Sequence, residues 1–306
     1  MGFDTAYEAI AEESGDQRWA FGTGFSGPLT GVDTAVPAGV AGADLAAYCL
    51  MLGDDALIMS HRLQEWLARA PELEEETALA NIALDLLGQA QLLLARAGQA
   101  DGSGRSEDDF AFGRAEREFR NVVLTEVTDA DFGGLIARLL VFSTWRLALL
   151  DRLRSARDPV LAAVAAKGVK EVAYHRDYAA QWLLRLAGGT EYSRGRMVAG
   201  LAAVAPLVAE LFSCTEVERG LAAAQVAVDP ASLRAEYDSV IASVLDLARL
   251  AWPDAPGLAG ATVERGAAGL RGAVGERGRD GVHTEAMGDL LAELQSVARA
   301  YPGGTW

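Results

Sequence analysis

Apolar residues recur at intervals of three and four along most of the chain after residue 43, which is the spacing of one face of an α-helix. The longest stretches with this spacing cover residues 44–69, 71–98, 131–156 and 159–187. No segment alternates polar and apolar residues with a period of two for long enough to indicate a strand. The pattern therefore predicts an all-α protein whose four long helices form a bundle, with additional C-terminal helices.

Capping signals separate these stretches from shorter ones. Asp158 and Pro159 have the residue types of a helix N-cap and its first helical position. Thr215 and Glu218 have the spacing of a capping box. The signals and the apolar spacing predict shorter helices over 113–127, 194–213, 216–226, 230–251 and 284–300.

Two segments lack the helical pattern. Residues 1–43 are rich in Gly, Thr and Pro and are expected to form an extended or partly disordered arm before a helical domain over 44–306. Residues 257–283 have Gly at nearly every third position, without the proline that collagen needs, so they predict a flexible surface loop. The loop has four arginines that could dock on an acidic or phosphate-bearing partner, although a solvated loop is the simpler interpretation: Arg265, Arg271, Arg277 and Arg279.

Composition narrows the class of protein. The chain has 306 residues, 51% of them hydrophobic, and a formal net charge of −16, so nucleic acid and anionic membranes are not expected partners. Cys49 and Cys214 lie in apolar segments and are expected in the core of a reduced, intracellular protein. The N-terminus lacks the pattern of a secretory signal, and no uncharged run reaches transmembrane length, so a cytoplasmic protein is expected.

Three acidic residues lie in apolar helical surroundings, where an ionised carboxylate needs a partner. Asp54 and Asp85 are about equally far from the first predicted helical turn, and Glu171 follows the next one, so all three are expected at one level of the bundle. Ferritin-like di-iron proteins have this plan, with Glu-x-x-His on two helices. Here Gly88 and Tyr174 stand where the two histidines would be.

The third long helix also departs from the di-iron plan. Residues 134–148 contain no acid, and their charged residues are Arg138 and Arg146. Two iron ions need several anionic and imidazole ligands, so a buried arginine, Arg138 before Arg146, is expected to balance the carboxylates instead of metal. His175 shares a helix face with Glu171. The sequence thus predicts a degenerate di-iron site without a catalytic, cofactor-binding or metal-binding role, formed by Asp54, Asp85, Arg138, Glu171 and His175.

Several stretches resemble one family. They are "YCLMLGDDALIMSHRLQEW" with its continuation to residue 94, "VKEVAYHRDYAAQWLLRLAGGT", "AVDP" at 227–230 and "GVHTEAMGDLLAELQ" near the end. They are similar to the C subunit of bacterial phenylacetyl-CoA 1,2-epoxidase, a multicomponent monooxygenase. The resemblance covers residues 44–306.

The resemblance implies a ferritin-like structural subunit without working iron. In this family the A subunit carries the di-iron centre and binds the CoA thioester, and a reductase subunit passes electrons from NADPH. The complex inserts one oxygen atom of O₂ into the aromatic ring in aerobic phenylacetate breakdown. The chain would pair with the A subunit and could form a homodimer when alone. A stand-alone di-iron oxidase or iron-binding protein, and an unrelated helical interaction protein, remain alternatives.

Overall fold

The computed structural model of the chain describes residues 31–253 and 277–302, and no strand occurs in these two ranges. The all-α prediction is confirmed. Most of the predicted arm and most of the Gly-rich loop, with Arg265 and Arg271, lie outside the described residues. The α-helices of the described ranges are α1 (Gly42–Gln64), α2 (Leu73–Ala100), α3 (Glu107–Phe112), α4 (Val123–Glu126), α5 (Phe132–Leu153), α6 (Pro159–Gly188), α7 (Glu191–Val204), α8 (Glu216–Ala223), α9 (Arg234–Ala248), α10 (Glu285–Leu294) and α11 (Ser296–Ala300).

The four long helices pack as two antiparallel hairpins. Helix α1 packs along α2, α5 packs along α6, and a narrower contact between α2 and α6 joins the hairpins. Helix α7 covers another side of α5, so α5 is enclosed on nearly all sides. In the described ranges, four 3₁₀ helices add short turns at Glu116–Glu118, Ala205–Phe212, Pro230–Leu233 and Gly278–Asp280.

The predicted capping signals are present. The Asp158 carboxylate accepts a hydrogen bond from Leu161 N (2.9 Å) at the start of α6 and also pairs with Arg96 (2.5 Å). Thr215 and Glu218 form the predicted capping box at the start of α8. The boundaries that these signals mark are therefore close to the observed ones.

Among the residues that the structure describes, three helical stretches are long and apolar enough to cross a membrane by length and composition alone: Leu73–Ala100, Phe132–Leu153 and Glu191–Phe212. Each contains charged residues, so none is an uncharged run. In Phe132–Leu153, 94% of the most apolar window is buried inside the protein. The apolar residues of α5 therefore belong to the protein core.

The two cysteines differ in burial. Cys49 is buried in α1, as predicted, whereas Cys214 is only half-buried, so the expectation of a core position is wrong for Cys214. Both thiols are free. Burial raises the pKa of both thiols, so both favour the neutral form.

The segment between α3 and α5 is not the continuous helix predicted over 113–127. It is an extended strap interrupted by one 3₁₀ turn and the single turn of α4. Two of its backbone N–H groups donate to carboxylates of α1: Arg120 N to Asp54 (2.8 Å) and Val122 N to Asp55 (2.9 Å). These donors are therefore not available for helical hydrogen bonds, which accounts for the difference from the prediction.

Candidate functional site

The predicted acidic residues do not lie at one level. The Ser60 hydroxyl donates to Ala83 O (2.7 Å), which fixes the register of the antiparallel helices α1 and α2. Counting from this contact, Asp85 is level with Ile58, about one helical turn from Asp54. The expectation that Asp54 and Asp85 share a level is wrong, because α1 ends earlier than predicted and the connection to α2 is longer.

A different set of four polar residues, one from each long helix, meets at the bundle centre. Arg146 donates to Gln89 Oε1 (3.3 Å) and to Leu52 O (3.0 Å). Gln89 Nε2 in turn donates to Glu171 Oε2 (3.1 Å). Asp55 Oδ2 is 4.0 Å from Arg146 Nη1. These four residues, Asp55, Gln89, Arg146 and Glu171, form the central layer.

The cation of the central layer is only partly satisfied. Arg146 is fully buried, and its Nε has no hydrogen-bond partner. Burial lowers the pKa of Arg146 to about 10, although Asp55 acts in the opposite direction. At neutral pH the guanidinium remains charged, in surroundings that offer mainly neutral acceptors.

The central layer does not fit a di-iron centre. Its two carboxylates are already engaged, since Glu171 also meets Lys167 Nζ (3.3 Å), and α5 contributes a guanidinium where the ferritin-like plan needs an anion. Gly88 and Tyr174 supply no imidazole. Within residues 31–253 and 277–302, three metal-ligating side chains approach within 4.8 Å of one another only on the surface, at Glu72, Glu74 and Glu75.

Asp85 and His175 form a separate pair on the seam between α2 and α6. His175 Nε2 lies 3.0 Å from Asp85 Oδ2, with the Asp85 side chain 36% exposed and the histidine buried. The Gln89–Glu171 contact lies one helical turn away, toward the end of α2 and the start of α6. The two contacts therefore form successive links between the hairpins, and Asp85 is not a buried carboxylate.

Arg138 does not balance any of the predicted carboxylates. Its Nε donates to Asp129 Oδ1 (2.9 Å), its Nη2 donates to Asp129 Oδ2, and its Nη1 lies 3.0 Å from Met59 Sδ. Asp129 lies just before α5, so this arginine joins the strap to the first half of α5. The prediction for Arg138 is wrong because Arg146, two turns further along the helix, occupies the bundle centre.

Two adjacent carboxylates of α1 bind arginines from distant parts of the chain. Asp54 accepts a bidentate contact from Arg114, with Nη1 at 3.0 Å, and a backbone bond from Arg120. Asp55 accepts hydrogen bonds from Nη2 (2.7 Å) and Nη1 (3.0 Å) of Arg279. Burial is the largest influence on the pKa of Arg279 and lowers it, but the charges of Asp55, Glu218 and Glu210 and the hydrogen bond to Asp55 together outweigh burial, so the pKa is raised.

A third buried carboxylate holds the start of α10. Glu126 accepts hydrogen bonds from Thr284 N (2.5 Å) and Asn121 Nδ2 (2.9 Å), and it pairs with His283 Nδ1 (2.7 Å). Burial is the largest influence on the pKa of His283 and lowers it, but the hydrogen bonds to Glu126 and Phe119 O, with the charges of Glu126 and Glu116, together outweigh burial and raise the pKa. Three ion pairs thus form the clamp, which consists of Asp54 with Arg114, Asp55 with Arg279 and Glu126 with His283.

The clamp corrects the boundary of the predicted flexible loop. Residues 277–283 were expected at the surface, but only 8% of the Arg279 side chain is exposed and His283 is buried. The Asp54–Asp55 doublet in an apolar helix is a signal that could have indicated a need for two cations. The sequence did not indicate that Arg114 and Arg279 would supply them, because Arg114 lies in a segment predicted as a helix and Arg279 in a segment predicted as a surface loop.

Comparisons with known proteins show the family of this chain. Residues 32–306 match the family model described as phenylacetic acid catabolic protein, PaaA_PaaC. The chain is also 40% identical over 262 residues to the C subunit of 1,2-phenylacetyl-CoA epoxidase of Escherichia coli strain K12, a match that covers 86% of this chain and 99% of that protein. The chain belongs to the phenylacetic acid catabolic protein family.

Proposed function

We propose that this member of the phenylacetic acid catabolic protein family is the structural, non-catalytic subunit of a multicomponent phenylacetyl-CoA epoxidase. Its partners would be a catalytic subunit that carries the di-iron centre and a reductase that delivers electrons from NADPH. The complex would epoxidise the aromatic ring of phenylacetyl-CoA with O₂ in the cytoplasm, during aerobic phenylacetate catabolism.

Similarity along most of the chain supports the subunit assignment. The match covers 99% of a protein that is named as the C subunit of an epoxidase. Partner subunits follow from that name. Their identity as a di-iron subunit and a reductase is part of the proposal.

The central layer is the observation that carries the non-catalytic role. A di-iron oxygenase needs an anionic ligand from each helix around its metal ions, whereas α5 here contributes Arg146, which lies 4.0 Å from Asp55 and donates to Gln89. A guanidinium cannot act as a metal ligand. The residues of this chain are thus suited to support a bundle and leave oxygen chemistry to a partner.

Co-expression with a candidate catalytic subunit, which carries two intact Glu-x-x-His motifs, tests the proposal. We expect a stable heteromer in size-exclusion chromatography with light scattering, with its iron retained by the catalytic chain after the subunits are separated. With the reductase, NADPH and O₂, both chains together should epoxidise phenylacetyl-CoA, while this chain alone should not. Failure to associate, or turnover by this chain without the catalytic subunit, would contradict the assignment.

A further inference from the structure

Three oxidisable aromatic side chains follow one face of α6. Tyr174, Tyr178 and Trp182 occur at intervals of four residues, which places successive side chains next to each other on a helix. The ring centroids of Tyr174 and Tyr178 are 6.4 Å apart. At the other end, the ring of Trp182 lies 5.0 Å from that of Phe132 on α5, in edge-to-face geometry. These three residues, Tyr174, Tyr178 and Trp182, form the aromatic stripe.

The two tyrosines of the aromatic stripe differ in the surroundings of their hydroxyl groups. Tyr174 is 51% exposed, whereas the Tyr178 hydroxyl is buried and has no hydrogen-bond partner among the described residues. The Trp182 indole N–H approaches this oxygen without reaching hydrogen-bond geometry. A buried hydroxyl without a partner costs free energy that a phenylalanine would not. Packing alone therefore does not account for a tyrosine at position 178.

This difference gives one-electron oxidation a direction along the stripe. Indole and phenol rings lose an electron far more readily than phenyl rings, and a phenol does so most readily when its proton leaves at the same time. Water can accept the proton of the exposed Tyr174, whereas the Tyr178 hydroxyl has no acceptor within the described residues. A missing electron on Trp182 is thus passed across the Tyr178 ring and held at Tyr174.

We propose that the aromatic stripe is a relay that carries oxidising equivalents from Trp182 to Tyr174 at the protein surface. An oxidant takes one electron from Trp182, and Trp182 recovers one from Tyr174 across the Tyr178 ring. The hydroxyl proton of Tyr174 goes to water, so the products are a neutral tyrosyl radical, the reduced oxidant and a hydrated proton. A soluble thiol then returns a hydrogen atom to the Tyr174 oxygen and becomes a thiyl radical.

The oxidants that such a relay would remove are the radical products of incomplete O₂ reduction. This part of the inference rests on the proposed function, because a partner subunit that activates O₂ would be their source. The relay itself consists only of residues of this chain, so it can be tested without a partner.

Photo-oxidation from two labelled positions tests the relay. A ruthenium polypyridyl complex is attached to Arg185→Cys, since the Arg185 guanidinium lies 5.1 Å from the Trp182 ring, and as a matched control to Ala163→Cys. Both positions are exposed, and both lie about 16 Å from Tyr174 along the same side of α6. No tryptophan or tyrosine occurs between residues 163 and 174. Cys214→Ser in every variant prevents labelling of the half-buried native thiol.

Transient absorption and electron paramagnetic resonance identify the radical after a soluble cobalt(III) quencher has oxidised the excited label. We expect a tyrosyl radical from the label at residue 185 and none from the label at residue 163. With the label at residue 185, Tyr174→Phe should remove the tyrosyl signal and leave a longer-lived indole radical. Tyr301→Phe changes another exposed tyrosine and should leave the tyrosyl signal unchanged.

Circular dichroism melting checks that each labelled variant is folded. Equal tyrosyl yields from the two labels, no tyrosyl radical from the label at residue 185, or a tyrosyl signal that persists in Tyr174→Phe would each overturn the inference. None of these outcomes bears on association with a catalytic subunit, which the co-expression experiment tests separately.

Discussion

The central layer and the clamp are two adjoining groups of buried charges that share Asp55, and they satisfy those charges in different ways. In the clamp, Asp54 meets Arg114 and Asp55 meets Arg279, each through a bidentate contact. In the central layer, Arg146 meets a side-chain amide and a backbone carbonyl, and its Nε has no partner. The clamp pairs opposite charges at hydrogen-bonding distance. In the central layer the hydrogen-bond acceptors of Arg146 are neutral, and the carboxylate of Asp55 lies 4.0 Å away.

This difference indicates different contributions to stability. The clamp joins α1 to the strap and to residues 277–284, segments whose backbone lacks long helices to hold it in place. Removing one member of such a pair leaves an uncompensated buried charge, which is costly. The central layer connects helices that already pack through apolar residues. Its polar contacts are therefore expected to contribute less to the free energy of unfolding.

Arg279→Met should have the largest effect. It leaves Asp55 buried with only the more distant Arg146 and a backbone N–H, so the free energy of unfolding should fall by about 3–5 kcal/mol. Urea denaturation measures the change. Arg277→Met, two residues earlier and half-buried against Ser213, is the matched control and should cost much less. Equal losses of free energy of unfolding in the two variants would show that the ion pair of Asp55 with Arg279 does not stabilise the fold.

Arg138→Met should have the next largest effect, since Asp129, whose side chain is 4% exposed, then loses its cation. We expect a loss of about 3 kcal/mol in the same assay. Adding Asp129→Asn should recover part of the loss, because the unpaired charge is then removed. A double variant no more stable than Arg138→Met would show that the loss comes from packing and not from the ion pair.

Glu210 makes stability depend on pH. Burial raises the pKa of this carboxyl to about 7, while it accepts hydrogen bonds from Val123 N (2.9 Å) and Gly278 N (3.1 Å) beside the clamp. The folded chain therefore keeps a proton that the unfolded chain releases between pH 4.5 and 7, so the contribution of Glu210 to stability falls as pH rises through this range.

Glu210→Gln should remove this dependence. As pH rises from 4.5 to 7, the free energy of unfolding of the variant should increase by roughly 2–3 kcal/mol relative to that of the wild type. The substitution itself can add a difference that is the same at every pH. Urea titrations at several pH values measure the difference. The exposed Glu236→Gln is the control and should show no such trend. A difference that is constant with pH would contradict the assigned titration.

Arg146→Met should have the smallest effect. It removes a poorly satisfied buried charge and fills its place with apolar atoms, so the free energy of unfolding should change by no more than about 1 kcal/mol. Measuring the losses of Arg146→Met and Arg279→Met under identical conditions compares the central layer with the clamp most directly. A loss as large as that of Arg279→Met would show that the central layer is as important to stability as the clamp.

The sequence was sufficient for the helices because their boundaries depend on local signals. Apolar spacing and the caps at Asp158 and Thr215 act within a few residues, so the long helices lie close to their predicted positions. The strap was mispredicted because its backbone donors bind Asp54 and Asp55, about 65 residues earlier in the chain. Such long-range competition leaves no periodic pattern in the strap itself.

The candidate site was only partly predictable, for a related reason. Glu171 was found because a carboxylate in an apolar helix is conspicuous, and Arg146 was recognised as the second of two candidate cations. Gln89 was missed because a neutral amide at a helix position carries no signal. Arg138 was placed wrongly because the choice between two arginines depends on the register between helices, which no single helix sequence specifies.

We propose that arginine and not iron stabilises the bundle centre, and the iron content of the purified chain tests this proposal most directly. Iron is measured by plasma mass spectrometry after growth in iron-rich medium and again after anaerobic reconstitution with Fe(II). We predict no near-stoichiometric iron in the wild-type chain, and no change in its iron content on Glu171→Ala. Iron approaching two ions per chain that is lost on Glu171→Ala would contradict the claim.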